Sequence, residues 1–138
     1  AAPRVDRAGA GDPPSERRLR VLDAGMGSGI LAVAALLLGA REAVGFDKDA
    51  DAVRWADDLA AKNDVSGRCR FLAGGCELLD EGRAAHGRYD VVLANIYSDV
   101  IQAEAGRLSS ALAGEGWFAF SGCPADKADP TRAAILAA

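Results

Sequence analysis

Three polar side chains and a run of glycines carry most of the chemistry this sequence offers. Asp23 stands directly before Ala24-Gly25-Met26-Gly27-Ser28-Gly29, Asp47 lies eighteen residues past Gly29, and Asn95 interrupts the apolar stretch Val91-Val92-Leu93-Ala94-Asn95-Ile96. Glycines in such a loop let the backbone turn tightly and let a ligand approach without meeting a Cβ. The stretch Gly27-x-Gly29-x-x-Ala32 also satisfies the dinucleotide fingerprint in its Gly/Ala form. A carboxylate at the spacing of Asp47 accepts hydrogen bonds from both hydroxyls of a ribose. The pattern therefore points to a nucleoside-containing ligand.

Asp23 bears on which one. A dinucleotide such as NAD places its pyrophosphate at this loop, and an adjacent carboxylate repels it. S-adenosylmethionine carries an α-ammonium and a sulfonium and no phosphate, so Asp23 and Asp47 together favour it. The plainer role for Asp23 is to cap the turn that follows, and for Asn95 to end a strand in a turn.

Other reactive side chains are sparse. Cys69, Cys76 and Cys123 are odd in number and lack CxxC spacing, so neither a disulfide framework nor a zinc knuckle is indicated. Cys76 reads better as a small buried hydrophobe than as a nucleophile. His86 is the only histidine, in the polar stretch Glu81-Gly82-Arg83-Ala84-Ala85-His86-Gly87. It reads as a solvated loop residue rather than as part of a triad. No metal site is expected.

The elements that must position these residues alternate regularly. Apolar runs at 19–24, 43–47, 69–74, 89–96 and 116–122 read as strands. Residues 30–38 read as a helix buried all round and stopped by Gly39, and residues 50–62 as an amphipathic helix. Residues 99–112 place Ile101, Ala105, Leu108 and Leu112 at helical spacing, with Ser98 or Asp99 as N-cap. A last helix begins after Pro124. Near-continuous apolar strands alternating with helices imply a parallel sheet covered on both faces. Residues 1–18, rich in Ala, Pro, Gly and charge, read as a flexible lead or linker stump, and 19–138 as one α/β domain.

Composition excludes further classes. The 138 residues carry a net charge of −4, which does not suit a general nucleic-acid clamp. No apolar run approaches the roughly 20 residues of a membrane span, and the N-terminus lacks the apolar centre of a secretory signal. Reduced cysteines and no signal suggest a cytoplasmic setting.

Asp23-Ala-Gly-Met-Gly-Ser-Gly-Ile-Leu-Ala-Val-Ala-Ala, then Gly45-Phe-Asp-Lys-Asp-Ala-Asp, resembles the first two motifs of class I S-adenosylmethionine-dependent methyltransferases. Tyr89-Asp-Val-Val-Leu-Ala-Asn-Ile and Gly116-Trp-Phe-Ala-Phe-Ser-Gly make the chain most similar to the ribosomal protein L11 methyltransferase family. Protein arginine methyltransferases resemble it less, because they carry glutamates at the positions of Asp47 and Asn95. The resemblance implies a Rossmann-like doubly wound sheet of about five strands in the order 3-2-1-4-5. It implies an N-methyltransferase acting on amino groups of a protein, such as one from the large ribosomal subunit. Neither nucleic acid nor membrane is an expected partner. The implied cofactor-facing set is Asp23, Gly25, Met26, Gly27, Gly29, Asp47, Lys48, Gly75, Cys76 and Asn95, with Asn95 also the catalytic residue.

Several features depart from that family. Met26 replaces a small polar residue, and Gly75 and Cys76 stand where an acidic residue commonly lies near the adenine. The family's N-terminal recognition domain, a threonine-rich segment before the first strand and the last two strands of a seven-stranded sheet have no counterpart here. The fifth strand is then expected to form an apolar edge open to association. Two other readings stay open: a non-catalytic cofactor-binding or interaction module, and a nucleotide-binding oxidoreductase domain.

Overall fold

A computed structural model describes residues 19–80 and 89–138. The lead at 1–18 and the loop reading of His86 lie outside the described residues. Five strands, β1 (Arg20–Ala24), β2 (Glu42–Asp47), β3 (Cys69–Ala73), β4 (Tyr89–Ala94) and β5 (Leu112–Phe120), form one parallel sheet in the order β3-β2-β1-β4-β5. The expected order and fold class are therefore the observed ones.

Side chains alternate across the strands and divide the core in two. Leu22, Ala24, Val44, Phe46, Val92 and Ala94 point to one face. There they meet α3 (Glu77–Asp80), α4 (Ser98–Ala103), α5 (Ala105–Ser110) and α6 (Ala125–Ala137) through Leu78, Ile101, Leu108 and Ile135. Val21, Ala43, Phe71, Val91 and Leu93 point to the other face, toward α1 (Ile30–Leu37) and α2 (Ala50–Lys62). The second helix buries Ala52, Ala56 and Ala60, and these small side chains let its backbone approach the sheet closely. Its first turn is fixed by Asp49, whose side chain accepts from the Asp51 N–H at 2.8 Å.

Four expectations need correction. The helix at α1 is not buried all round: Ala32, Val33 and Leu36 face the sheet, while Ile30 is 63% and Leu38 89% exposed. A helix on the outside of a single sheet has one covered face, and an apolar sequence does not supply a second cover. The helix expected at 99–112 is two, α4 and α5, separated at Glu104. Gly106 weakens helix propensity just past that break, and Leu112 already belongs to β5. Neither Ser98 nor Asp99 caps α4; the N-cap is Tyr97, without a side-chain bond, and Ser98 is the first helical residue. The fifth strand also begins earlier than its apolar run, at Leu112 rather than Gly116.

Candidate functional site

The register brings the chemical residues to one end of the sheet. Ala24 pairs with Phe46 on one side and with Ala94 on the other. The loop after β1, the end of β2 and the loop after β4 are thus neighbours at the carboxyl ends of the strands. Chain direction diverges here, with β2 on one flank of β1 and β4 on the other. In open α/β sheets this is where ligands bind.

Asp23 is 1% exposed, under the glycine loop on the α1 side of the sheet. Its Oδ2 accepts from the Ala32 N–H at 3.1 Å, fastening the first turn of α1. Its Oδ1 is a buried side-chain oxygen without a hydrogen-bond partner among the described residues. Burial pushes its carboxyl up to about 6; the Ala32 N–H opposes that shift and the charge on Asp47 adds to it. The capping role is therefore real, but it occupies one oxygen. A buried carboxylate with a bare oxygen is costly, and a cationic ligand group would relieve it.

Asp47, half-buried at the tip of β2, ties the loop from the other side. Its Oδ2 accepts from the Gly27 N–H and its Oδ1 from the Asp49 N–H, each at 2.9 Å. Between the two acids the glycines differ in what they do. A Cβ on Gly29, where φ is +76°, would come within 2.7 Å of the Ala56 Cβ, so this residue serves the approach of α2. A Cβ on Gly27 would meet nothing within 4 Å, so open space borders the loop there. Gly25 packs tightly against Ile96. Met26 turns its side chain down into the core, 5% exposed, against Gly45 and Phe71.

The loop after β3 forms the far wall. The Gly75 N–H donates to Glu77 Oε1 at 2.7 Å, and that bond is the main reason the Glu77 carboxyl lies below its ordinary range. A Cβ on Gly75 would fall 2.9 Å from the Lys48 Cε, so Lys48 lies across this glycine. Cys76 is buried in the core, and burial pushes its thiol up to about 11. It is a protonated hydrophobe at neutral pH, as the sequence suggested, and not a nucleophile.

Asn95, directly after β4, is exposed. Beside it runs the end of β5, where the Ser121 N–H donates to the Ala94 carbonyl at 3.1 Å.

Comparison with known proteins now bears on this arrangement. Residues 12–137 match the family model described as ribosomal protein L11 methyltransferase (PrmA). The chain belongs to the ribosomal protein L11 methyltransferase family. It is 44% identical over 110 residues to the protein of that name from Chromohalobacter salexigens, covering 80% of this chain and 35% of the relative. The chain thus spans about a third of the length of that curated relative. The crystal structure of a ribosomal protein L11 methylase from Lactobacillus delbrueckii subsp. bulgaricus superposes with a TM-score of 0.77 at 28% identity, covering 90% of this chain and 62% of that one. A methyltransferase from Thiobacillus denitrificans, crystallised with S-adenosyl-L-homocysteine, shares the fold with a TM-score of 0.63 at 22% identity, covering 74% of this chain and 41% of that one.

For a member of the L11 methyltransferase family, two site features escaped sequence reasoning. The helix α3 with its Glu77–Gly75 bond is four residues long, too short for a periodic signal. Gly122 stands in the sequence only as the end of a Ser-Gly pair, although a Cβ built there would lie 2.7 Å from Asn95 Oδ1.

Proposed function

We propose that this chain binds S-adenosylmethionine and is an N-methyltransferase whose acceptor is an amino group of a ribosomal protein such as L11. The observation that carries this reading is the pair of acids around the open face of Gly27. Asp23 keeps a bare buried oxygen on one side, and Asp47 closes the other with its two backbone bonds. Two carboxylates repel a pyrophosphate and attract an ammonium. Family membership and the fold shared with a methyltransferase crystallised with S-adenosyl-L-homocysteine support the same ligand.

The cofactor supplies one thing, a methyl group on a cationic sulfur. In this reading Asp23 Oδ1 accepts from the ligand's α-ammonium, and Asp47 accepts from the ribose hydroxyls with lone pairs its backbone bonds leave available. Gly27 lets the ligand lie against the loop backbone. Lys48, Gly75 and the Cys76 backbone border the adenine end. Asn95 Oδ1 accepts an N–H of the incoming amine and turns its lone pair toward the methyl group. Held by Asp23 and Asp47, the cofactor would supply the methyl group to the amine oriented by Asn95, the N–C bond forming as the S–C bond breaks and the nitrogen's proton passing to solvent. The amine must arrive deprotonated, because a protonated nitrogen has no pair to donate. Orientation supplies much of such a barrier reduction.

The test is thermal stabilisation by S-adenosylhomocysteine, S-adenosylmethionine and NAD, followed by transfer of labelled methyl to purified ribosomal protein L11. A ligand at 100 times its dissociation constant adds about 2.7 kcal/mol. Stabilisation by NAD alone, or none by the two adenosyl ligands, would sink the proposal.

A further inference from the structure

Among the described residues, Tyr97 is a large side chain that the fold does not use. Its neighbours on both sides are drawn inward: Ile96 packs against Gly25 and joins the core, and Ser98 is buried. The backbone between them is pinned as well. The Tyr97 carbonyl accepts from the Val100 and Ile101 N–H groups, each at 3.1 Å, at the start of α4. With its flanks turned in and its main chain fixed, the ring is left 79% exposed. Its hydroxyl has no partner among the described residues.

A single exposed aromatic is ordinary on a protein surface. Position sets this one apart. Tyr97 is two residues beyond Asn95, and it lines a cleft of about 300 Å³ with Asp99, Gln102, Gly122 and Lys127. Gly122 itself lies against the Asn95 carbonyl, since a Cβ built on it would fall 2.7 Å from Oδ1. One wall of the cleft is therefore the flank of the residue that holds the acceptor amine in the proposed function.

The polar groups of the cleft are uncommitted. Asp99 and Lys127 form no ion pair, with each other or elsewhere, among the described residues. Gln102 Nε2 donates to the hydroxyl of fully buried Thr131 at 2.9 Å, which fixes the amide and leaves Oε1 to accept. An aromatic face, a carboxylate, an amide oxygen and an ammonium in one groove match the parts of an extended basic peptide. The ring takes an alkyl stem or a cation, Asp99 a cationic head, Gln102 a main-chain N–H and Lys127 a main-chain carbonyl.

We propose that this cleft docks the segment of the protein acceptor that carries the target amine, with the Tyr97 ring as its platform and Asp99 selecting a basic side chain beside that amine. The proposal rests on the methyltransferase reading and adds to it where the acceptor is held. Tyrosine suits the task because its ring offers a large contact area while few torsions are immobilised on binding. The ring meets the acceptor away from the transferring methyl group, so it contributes equally to the ground and transition states. Losing such a contact raises KM without lowering kcat.

The experiment measures methyl transfer to purified ribosomal protein L11, and S-adenosylhomocysteine affinity, for the 138-residue chain and its variants. Tyr97→Ala is expected to raise KM for L11 about tenfold. Its kcat and S-adenosylhomocysteine dissociation constant should stay within about twofold, and its melting midpoint should not move, because the exposed ring holds no neighbour in place. Tyr97→Phe keeps the ring and should keep the wild-type KM. Asp99→Asn should raise KM about threefold at low ionic strength and by less in salt near 1 M, where exposed charges are screened. Trp55→Ala supplies the control: Trp55 is 55% exposed on α2, across the sheet from α4, and its loss should change neither constant.

An unchanged KM in Tyr97→Ala, a loss confined to kcat, a matching loss in Trp55→Ala, or a Tyr97→Phe variant as impaired as the alanine would overturn the proposal while the methyltransferase reading stands. Wild-type KM in Asp99→Asn would remove the selection of a basic side chain. If the wild-type chain binds S-adenosylhomocysteine but transfers no methyl group to L11, the affinity of that complex for labelled L11 decides. Docking at the ring requires binding that Tyr97→Ala weakens about tenfold and Tyr97→Phe does not; equal affinities, or no binding, overturn it. A chain that binds neither adenosyl ligand removes the functional reading and this proposal with it.

Discussion

The half of the sheet built from β1 to β3 and the half built from β4 and β5 are made of similar residues but are enclosed differently. In β1 every residue after Arg20 is buried, as is every residue of β2 between its ends, and α1 and α2 cover one face completely enough to hide a carboxylate. In β5 no residue is buried, and Trp117, on the face opposite Phe118 and Phe120, is 77% exposed. The first half closes around its loop with its own helices. The second presents Asn95, Tyr97 and Gly122 to the outside. A small ligand that must be sequestered suits the first, and a macromolecular acceptor that must reach in suits the second.

The largest expected effect breaks the enclosed half. Asp47→Ala removes the acceptor for the Gly27 and Asp49 N–H groups as well as the proposed ribose contacts. Hydrogen bonds to a charged group are worth about 1.5–3 kcal/mol each, so stabilisation by S-adenosylhomocysteine should vanish from thermal melts. Retained stabilisation would show that Asp47 holds only the loop.

Next in size is a change confined to the open half. Asn95→Ala should lower methyl transfer about 100-fold, the scale of a lost orientation, with ligand-induced stabilisation unchanged. Equal loss of both would erase the division between the halves.

A third prediction separates stability from function at Asp23. Its carboxyl titrates at about 6 when folded against an ordinary 3.8. The folded state therefore binds this proton more tightly than the unfolded chain. The stabilising contribution is full below about pH 4 and is lost as pH rises through about 6, a difference on the order of 3 kcal/mol. Asp23→Asn keeps an oxygen for the Ala32 N–H and removes the titration. Denaturant unfolding should find the variant more stable by about 2 kcal/mol at pH 8 and indistinguishable at pH 4. S-adenosylhomocysteine should bind it more weakly, and should bind wild type more tightly as pH rises through about 6. A variant no more stable than wild type at pH 8 would mean that Oδ1 is satisfied in a way the structure does not show.

The smallest effect concerns the exposed edge. Trp117→Thr should move the unfolding midpoint by less than about 0.5 kcal/mol, as surface substitutions usually do. If wild type self-associates through β5, the variant should sediment as a smaller species at the same concentration. A large destabilisation would show that Trp117 is covered in solution.

These predictions rest on features that were unequally legible in the sequence. The periodicity of 50–62 and the glycines after Ala24 mark α2 and the ligand loop because each signal is local. Asp23 could be assigned to the loop from its position, yet its division into one capping oxygen and one bare oxygen depends on how α1 packs. Met26 belongs to the cofactor-facing set by resemblance alone, and only the third dimension shows its side chain under the loop against Gly45. The exposure of Ile30 and Leu38 was hidden for a related reason: an apolar helix does not state how many of its faces a neighbour covers. Gly122 and Asn95 are twenty-seven residues apart, and no sequence period links the ends of two adjacent parallel strands.

The one-sided pairing of β5 also sets an order of events on warming. β1 lies between two partners; β5, like β3 at the other edge, has only one, and unlike β3, which buries Phe71, it has no buried residue. Backbone amides of β1 should exchange with solvent only when the whole fold opens, while those near Ser121 and Gly122 exchange through local fraying. On the proposed reading, the Asn95 side then loosens at temperatures where the Asp23 side still holds, and ligand binding should outlast methyl transfer as the chain is warmed.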